Sequence, residues 1–201
     1  MSYWNSRGLR GSQFEELVNL SNEQYQKEGL AVIQKIPTPI KPVQIDNERH
    51  ITLAYFEQKS TVDYIGVMAG IPICFDAKEC GKKSLPFSNI HPHQVAFMND
   101  FAAQGGLAFL LVHFTDYKET YVLPLETLNE YYTEGRGRSS IPYSAFDKEL
   151  LVADNGSPFL NYLATALVYR KKQKASLKMP DVAGQGEDET DPGRDRDLPE
   201  G

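Results

Sequence analysis

Apolar and polar positions alternate on both sides of Ala69-Gly70, so residues 60–80 read as a β-hairpin folded about that pair. With Ala69 and Gly70 as the loop, Met68 faces Ile71, and counting outward places Asp63 opposite Asp76. Side chains so paired lie on one face of the sheet, with Cβ atoms roughly 4.5–5.5 Å apart. The same count sorts the two faces. Val62, Tyr64, Met68, Ile71, Ile73, Phe75 and Ala77 form an apolar side that belongs in a core. Asp63, Asp76 and Lys78 share the other, which is expected to face water, because Lys78 stands two residues beyond Asp76.

The other elements follow from the same patterning. Ser12, with Glu15 three residues on, has the spacing of a capping box, and a helix with Phe14, Leu17, Val18 and Tyr25 on its buried stripe runs to about Glu28. Leu30 to Ile36 is a short strand that ends at Pro37-Thr38-Pro39. Residues 40–50 read as a protruding connection and Ile51 to Glu57 as a further strand. Pro92 suits the first turn of a helix with Val95, Met98 and Ala102 on its apolar stripe. Leu107 to Phe114 is the most apolar segment and is expected at the centre of a sheet. Thr120 to Leu123 returns, residues 125–134 form a short helix, and Ser157-Pro158 starts the last one.

Composition adds limits. No apolar run approaches the roughly 18 residues of a membrane span, and the first residues lack the apolar block of a signal peptide, so a cytoplasmic protein is expected. Cys74 and Cys80 match no zinc spacing and read as free thiols. The net charge of −6 is uneven, because residues 175–201 hold eight acids and three bases, which leaves residues 1–174 one charge below neutral. Any nucleic-acid contact must therefore come from a local basic patch. Three units are expected: a flexible arm over 1–11, a domain over 12–174, and a disordered acidic tail over 175–201.

The chemistry concentrates on the hairpin. Two facing carboxylates repel unless a cation sits between them, and carboxylate oxygens suit Mg²⁺, with Mn²⁺ as a substitute. Lys78 can hold or help deprotonate a water on such an ion. That outlines a hydrolytic site, and a solvated strand face is the alternative reading of the same three residues. Glu15 reads either as a cap or as an acid facing that site. Arg7 and Arg10 in the arm suit phosphate contact or an ordinary terminus, and the basic loop Arg136-Gly137-Arg138-Ser139-Ser140 carries the same two readings. His91 and His93 lack a third partner at zinc spacing.

The order of helix, strands, aspartate hairpin, acid-x-Lys, helix and strands resembles the restriction-endonuclease-like nucleases. Several stretches resemble the RecU family of Holliday junction resolvases in particular: Arg7-Gly8, Phe14-Glu15, Ala31-Val32-Ile33 through Pro37-Thr38-Pro39, Ala54-Tyr55-Phe56, Ser60 to Tyr64, Phe75 to Glu79, and His91-Pro92-His93-Gln94. They run in order from about residue 5 to 130 and fade after about 135.

The resemblance implies an α/β fold with a mixed β-sheet flanked by helices and a stalk at about 37–50 that enters the open centre of a four-way junction. It implies a catalytic set of Glu15, Asp63, Asp76 and Lys78, with Mg²⁺ on Asp63 and Asp76, Gln94 in support, and Lys35 and Arg49 on DNA. It also implies a homodimer acting on four-way junction DNA, and a RecA-type recombinase as a further partner. Asp76 stands where the family usually has Glu, so a junction- or recombinase-binding dimer that does not cut is the alternative.

Overall fold

The computed structural model describes residues 13–56, 61–81, 83–134, 137 and 139–176. Its centre is a five-stranded sheet in the order β1 (Ala31–Lys35), β4 (Tyr64–Met68), β5 (Ile71–Cys80), β7 (Leu107–Phe114), β8 (Glu119–Pro124). All neighbours are antiparallel except β5 and β7, which run parallel. A parallel pair needs a crossover, and α2 (Pro92–Ala103) supplies it. The architecture is thus the mixed sheet flanked by helices that the sequence implies. β7 is almost wholly buried and has neighbours on both sides, but the midpoint of the sheet is β5, not β7.

The β4–β5 hairpin turns where expected. Met68 faces Ile71 and Tyr64 faces Phe75, and both loop residues have positive φ, +48° at Ala69 and +77° at Gly70. Positive φ at both loop positions matches the right-handed twist of the flanking strands. Gly66 is needed on β4 for another reason. A Cβ there would lie 2.2 Å from the Val32 carbonyl oxygen of β1.

Two cores sandwich the sheet. On one face Tyr64, Phe75 and Phe109 stack in a row beneath α1 (Gln13–Lys27) and α4 (Tyr162–Ser176). On the other, Cys74, Leu110 and Val112 pack under α2 and α3 (Leu125–Glu134). This corrects the expectation of a wet side at Asp76, which is fully buried, whereas Val67 and Pro72 on the same face nearer the turn stay exposed. It also moves Val62, which packs in the second core and not with Tyr64 and Phe75. Chain alternation tells which residues share a face. It does not tell what a later helix lays over that face.

Two boundaries differ from expectation. Residues 51–56 do not join the main sheet; β3 (Ile51–Phe56) pairs only with β2 (Ile40–Ile45) in a separate ribbon whose described side chains are all exposed. This ribbon includes most of the stalk expected at about 37–50 and continues through the strand after it. The last helix begins at Tyr162 and not at Ser157. The Leu160 N–H donates to Ser21 Oγ of α1 at 2.9 Å, and its carbonyl accepts from the Tyr25 hydroxyl, so the backbone there is tied to α1. The cap at Ser12, the arm and the acidic tail from 177 lie outside the described residues, as do Arg136 and Arg138. A further pair of short strands, β6 (Ser84–Pro86) and β9 (Ser140–Pro142), lies beside the second core. No helix among the described residues is long and apolar enough to cross a membrane.

Candidate active site

Asp63 and Asp76 interlock just past the last regular pair of the hairpin. The Asp63 N–H donates to Asp76 Oδ1 at 2.9 Å, and the Ala77 N–H donates to Asp63 Oδ2 at 3.1 Å. Side-chain oxygens thus stand in for the carbonyls that would have continued the ladder. β1 braces the same point, because the Ile36 N–H donates to the Asp63 carbonyl at 2.8 Å.

Asp76 is fully buried, beside Leu110 of β7. Its Oδ1 accepts a second hydrogen bond, from Gln94 Nε2 at 3.0 Å. Its Oδ2 lies against the Lys78 ammonium and makes no hydrogen bond of ordinary geometry among the described residues. Gln94 reaches the pair from the first turn of α2, where Pro92 starts the helix. The Gln94 Oε1 accepts from the His91 N–H at 3.3 Å and from Lys78 Nζ at 3.4 Å. One amide therefore touches both the acid and the ammonium. The two acids with Lys78 and Gln94 form a single cluster between the hairpin and the first turn of α2.

Electrostatics in this cluster are strained. Burial first, and the Asp76 carboxylate second, push the Asp63 carboxyl up to about 7, with Lys78 acting the other way. A cation between the two acids would relieve that repulsion. The donors present are carboxylate and amide oxygens, which suit a hard ion, and Asp76 Oδ2 is a buried acceptor whose contact is the Lys78 ammonium. Among the described residues no group of three or more His, Cys, Asp or Glu could hold a metal ion. Two carboxylates with the rest of the shell from water is how Mg²⁺ is usually bound, so the residues fit that ion.

The remaining predicted residues stand elsewhere. Glu15, in the first turn of α1, is ion-paired with Lys35 at 2.6 Å, and its carbonyl accepts from the Tyr64 hydroxyl at 3.3 Å. Lys35 faces Tyr64 in register, one residue from Asp63, so the Glu15–Lys35 pair borders the cluster from the α1 side. Arg49 is exposed at the tip of the ribbon with φ +66°. Arg7 and Arg10 lie outside the described residues. His91 and His93 stack on each other, with centroids 5.4 Å apart. Cys74 and Cys80 are buried and not joined in a disulfide, and the Cys80 thiol donates to the Ser84 carbonyl at 2.7 Å. Sequence reasoning missed the bracing role of Tyr64, whose hydroxyl donates to Asn19 Oδ1 at 2.8 Å and so ties β4 to α1 beside Asp63. The signal was present: a tyrosine in an apolar stripe needs a buried acceptor, and Asn19 lies on the same helix face as Glu15.

A protein-family model described as Recombination protein U matches residues 9–167, well past residue 135, where the recognisable motifs fade. A protein of Streptococcus gordonii named Holliday junction resolvase RecU is 43% identical over 160 residues, covering 77% of this chain and 80% of its own. One of the same name from Lactococcus lactis is 44% identical over 162 residues, covering 78% and 76%. Among solved structures, Hjc of Archaeoglobus fulgidus, a Holliday junction resolvase, superposes with a TM-score of 0.41 at 14% identity, covering 68% of this chain and 91% of that one.

Proposed function

This chain belongs to the Recombination protein U family, and on that premise we propose that it is an endonuclease that resolves four-way DNA junctions by paired symmetric nicks during recombination and repair. The observation that carries the reading to the atomic level is the interlock of Asp63 and Asp76 with Lys78 and Gln94 attached.

Asp63 and Asp76 would hold Mg²⁺ or Mn²⁺, which supplies positive charge to the phosphoryl oxygens and acidifies a bound water. Lys78 orients the attacking water and offsets charge that develops on the phosphate. Gln94 fixes Lys78 and Asp76 relative to each other, which is a positioning role. Glu15, held by Lys35 in the free protein, completes the set when a phosphate draws Lys35 away. Lys35, Arg49 and the arginines of the arm contact backbone phosphates, so binding weakens as salt rises. The ribbon at 40–56 enters the junction centre.

The chain works as a homodimer. A two-fold pair presents identical sites to opposite strands of a nearly two-fold substrate. In support, Val32, Val67 and Pro72 lie in one register row across β1, β4 and β5, all exposed on the face that carries Asp76. A RecA-type recombinase is the further partner that the family likeness implies, and the cytoplasm is where the substrate lies.

The complete burial of Asp76 favours one rival, a dimer that binds junctions without cutting them. Purified protein with Mg²⁺ on a labelled junction and a matching linear duplex separates the two. Symmetric nicks confined to the junction, absent in Asp63→Asn, support cleavage. Tight junction binding without nicks supports the rival.

A further inference from the structure

The Tyr64 ring is held in place by its neighbours. It stacks on Phe75 with centroids 4.8 Å apart, and Phe75 stacks on Phe109 at 5.0 Å. All three residues are fully buried. Tyr64 alone of the three carries a hydroxyl, and a buried hydroxyl is costly unless it finds a partner. This one finds two, both in α1: Asn19 Oδ1 at 2.8 Å and the Glu15 carbonyl at 3.3 Å. Glu15 and Asn19 stand one helical turn apart, so a single group on the sheet grips a single turn of the helix. Burial first, and the charges of Glu15, Asp63 and Asp76 after it, raise the proton affinity of the hydroxyl, so it stays a donor.

That turn carries Glu15, the acid of the proposed set that stands outside the aspartate interlock. Its carboxylate is paired with Lys35. Lys35 and Tyr64 face each other in register across β1 and β4, and Asp63 is the residue before Tyr64. Four residues therefore close a ring: Lys35 to Glu15, Glu15 to Asn19 along the helix, Asn19 to Tyr64, and Tyr64 back to Lys35 across the sheet. The two sheet residues of this ring differ in what DNA does to them. The Lys35 side chain is 40% exposed and, in the function proposed above, leaves Glu15 for a phosphate. Tyr64 is sealed from solvent and keeps its grip.

We propose that Tyr64 is a positioning residue for nicking: its hydroxyl, acting on Asn19 and on the Glu15 backbone, fixes where the Glu15 carboxylate stands relative to Asp63 once Lys35 has turned to DNA. The inference rests on Glu15 belonging to the catalytic set. Misplacing a reacting group by about 1 Å can cost roughly 10²-fold in rate, so the loss of one hydroxyl is measurable.

Single-turnover nicking of a four-way junction at saturating Mg²⁺ tests this through a double-mutant cycle. Tyr64→Phe should lower the nicking rate by roughly 10–10²-fold, with junction Kd and circular dichroism unchanged. Glu15→Gln should lower the rate as well, and Tyr64→Phe added to Glu15→Gln should take away nothing more. Asn19→Ala, which keeps the tyrosine and removes its nearer acceptor, should repeat the pattern, and it carries the test where Tyr64→Phe does not fold. The same fractional loss in both backgrounds overturns the proposal, because the hydroxyl then supports only the fold. So does wild-type nicking by Tyr64→Phe, or a loss matched by weaker junction binding. Full nicking by Glu15→Gln overturns it too, and leaves untouched the nuclease reading, which is tested at Asp63.

Discussion

Burial and the neighbouring Asp76 carboxylate push Asp63 up to about 7, and that has consequences for stability as well as chemistry. Without a divalent ion the folded chain keeps a proton on Asp63 that the unfolded chain releases near 3.9. The folded state then binds more protons between about pH 4 and pH 7, so this group makes stability fall as pH rises through that window. Thermal melts in EDTA should show the wild type losing stability relative to Asp63→Asn between about pH 5 and pH 7.5. Mg²⁺ competes with the same proton, so the stabilisation it gives the wild type should grow over that range and be largely lost in the variant. Gln94→Ala leaves Asp76 with one donor fewer in a buried site, which should cost about 1–3 kcal/mol in urea titrations. It should also lower the nicking rate. At this scale the sequence showed which side chains meet. It did not show that Asp76 is enclosed, because Leu110 and Gln94, which close over it, come 34 and 18 residues later in the chain.

At the scale of elements, the β4–β5 hairpin sets the geometry of the site, and its turn holds a non-glycine residue at positive φ. Ala69→Asn gives the Asn-Gly pair that such a loop prefers. It should stabilise the fold by roughly 0.5–1 kcal/mol, since Asn tolerates the left-handed region better than Ala, and leave nicking unchanged. Gly66→Ala should do the opposite. Its methyl would meet the β1 backbone, so a loss of about 1–3 kcal/mol or more is expected by denaturant titration. The hairpin register was legible because apolar alternation and a turn signal agreed. The start of α4 was not, since Ser157-Pro158 is a sound local signal and is overridden by the hydrogen bonds that Leu160 donates to Ser21 and accepts from Tyr25 at the far end of the chain. The place of β3 was also hidden, because its apolar alternation looks the same in a core sheet as in an exposed ribbon.

Across the whole molecule, the ribbon is a separate two-stranded sheet, so the fold does not depend on it. Replacing residues 40–56 with a short Gly-Ser loop should leave the melting temperature within a few degrees and remove the preference for junction over linear duplex in binding assays. The Val32–Val67–Pro72 row and the ribbon's apolar side chains, among them Ile45 and Leu53, are exposed apolar surface that the proposed homodimer could cover. Sequence patterning fixes what each segment prefers. It carries little about which exposed faces meet another molecule, since an exposed valine on a strand reads as core until the covering layer is seen.

The interlocked aspartates are proposed as the centre at which DNA is cut. The most direct measurement is cleavage of a mobile four-way junction, labelled in turn on each strand, by wild type and by Asp63→Asn at equal junction occupancy in Mg²⁺. The account predicts nicks at symmetric positions on opposite strands for the wild type and a rate lower by roughly 10²–10³-fold for the variant. Equal cleavage by the two proteins, or junction binding by the wild type with no nicks at any divalent-ion concentration, would contradict it.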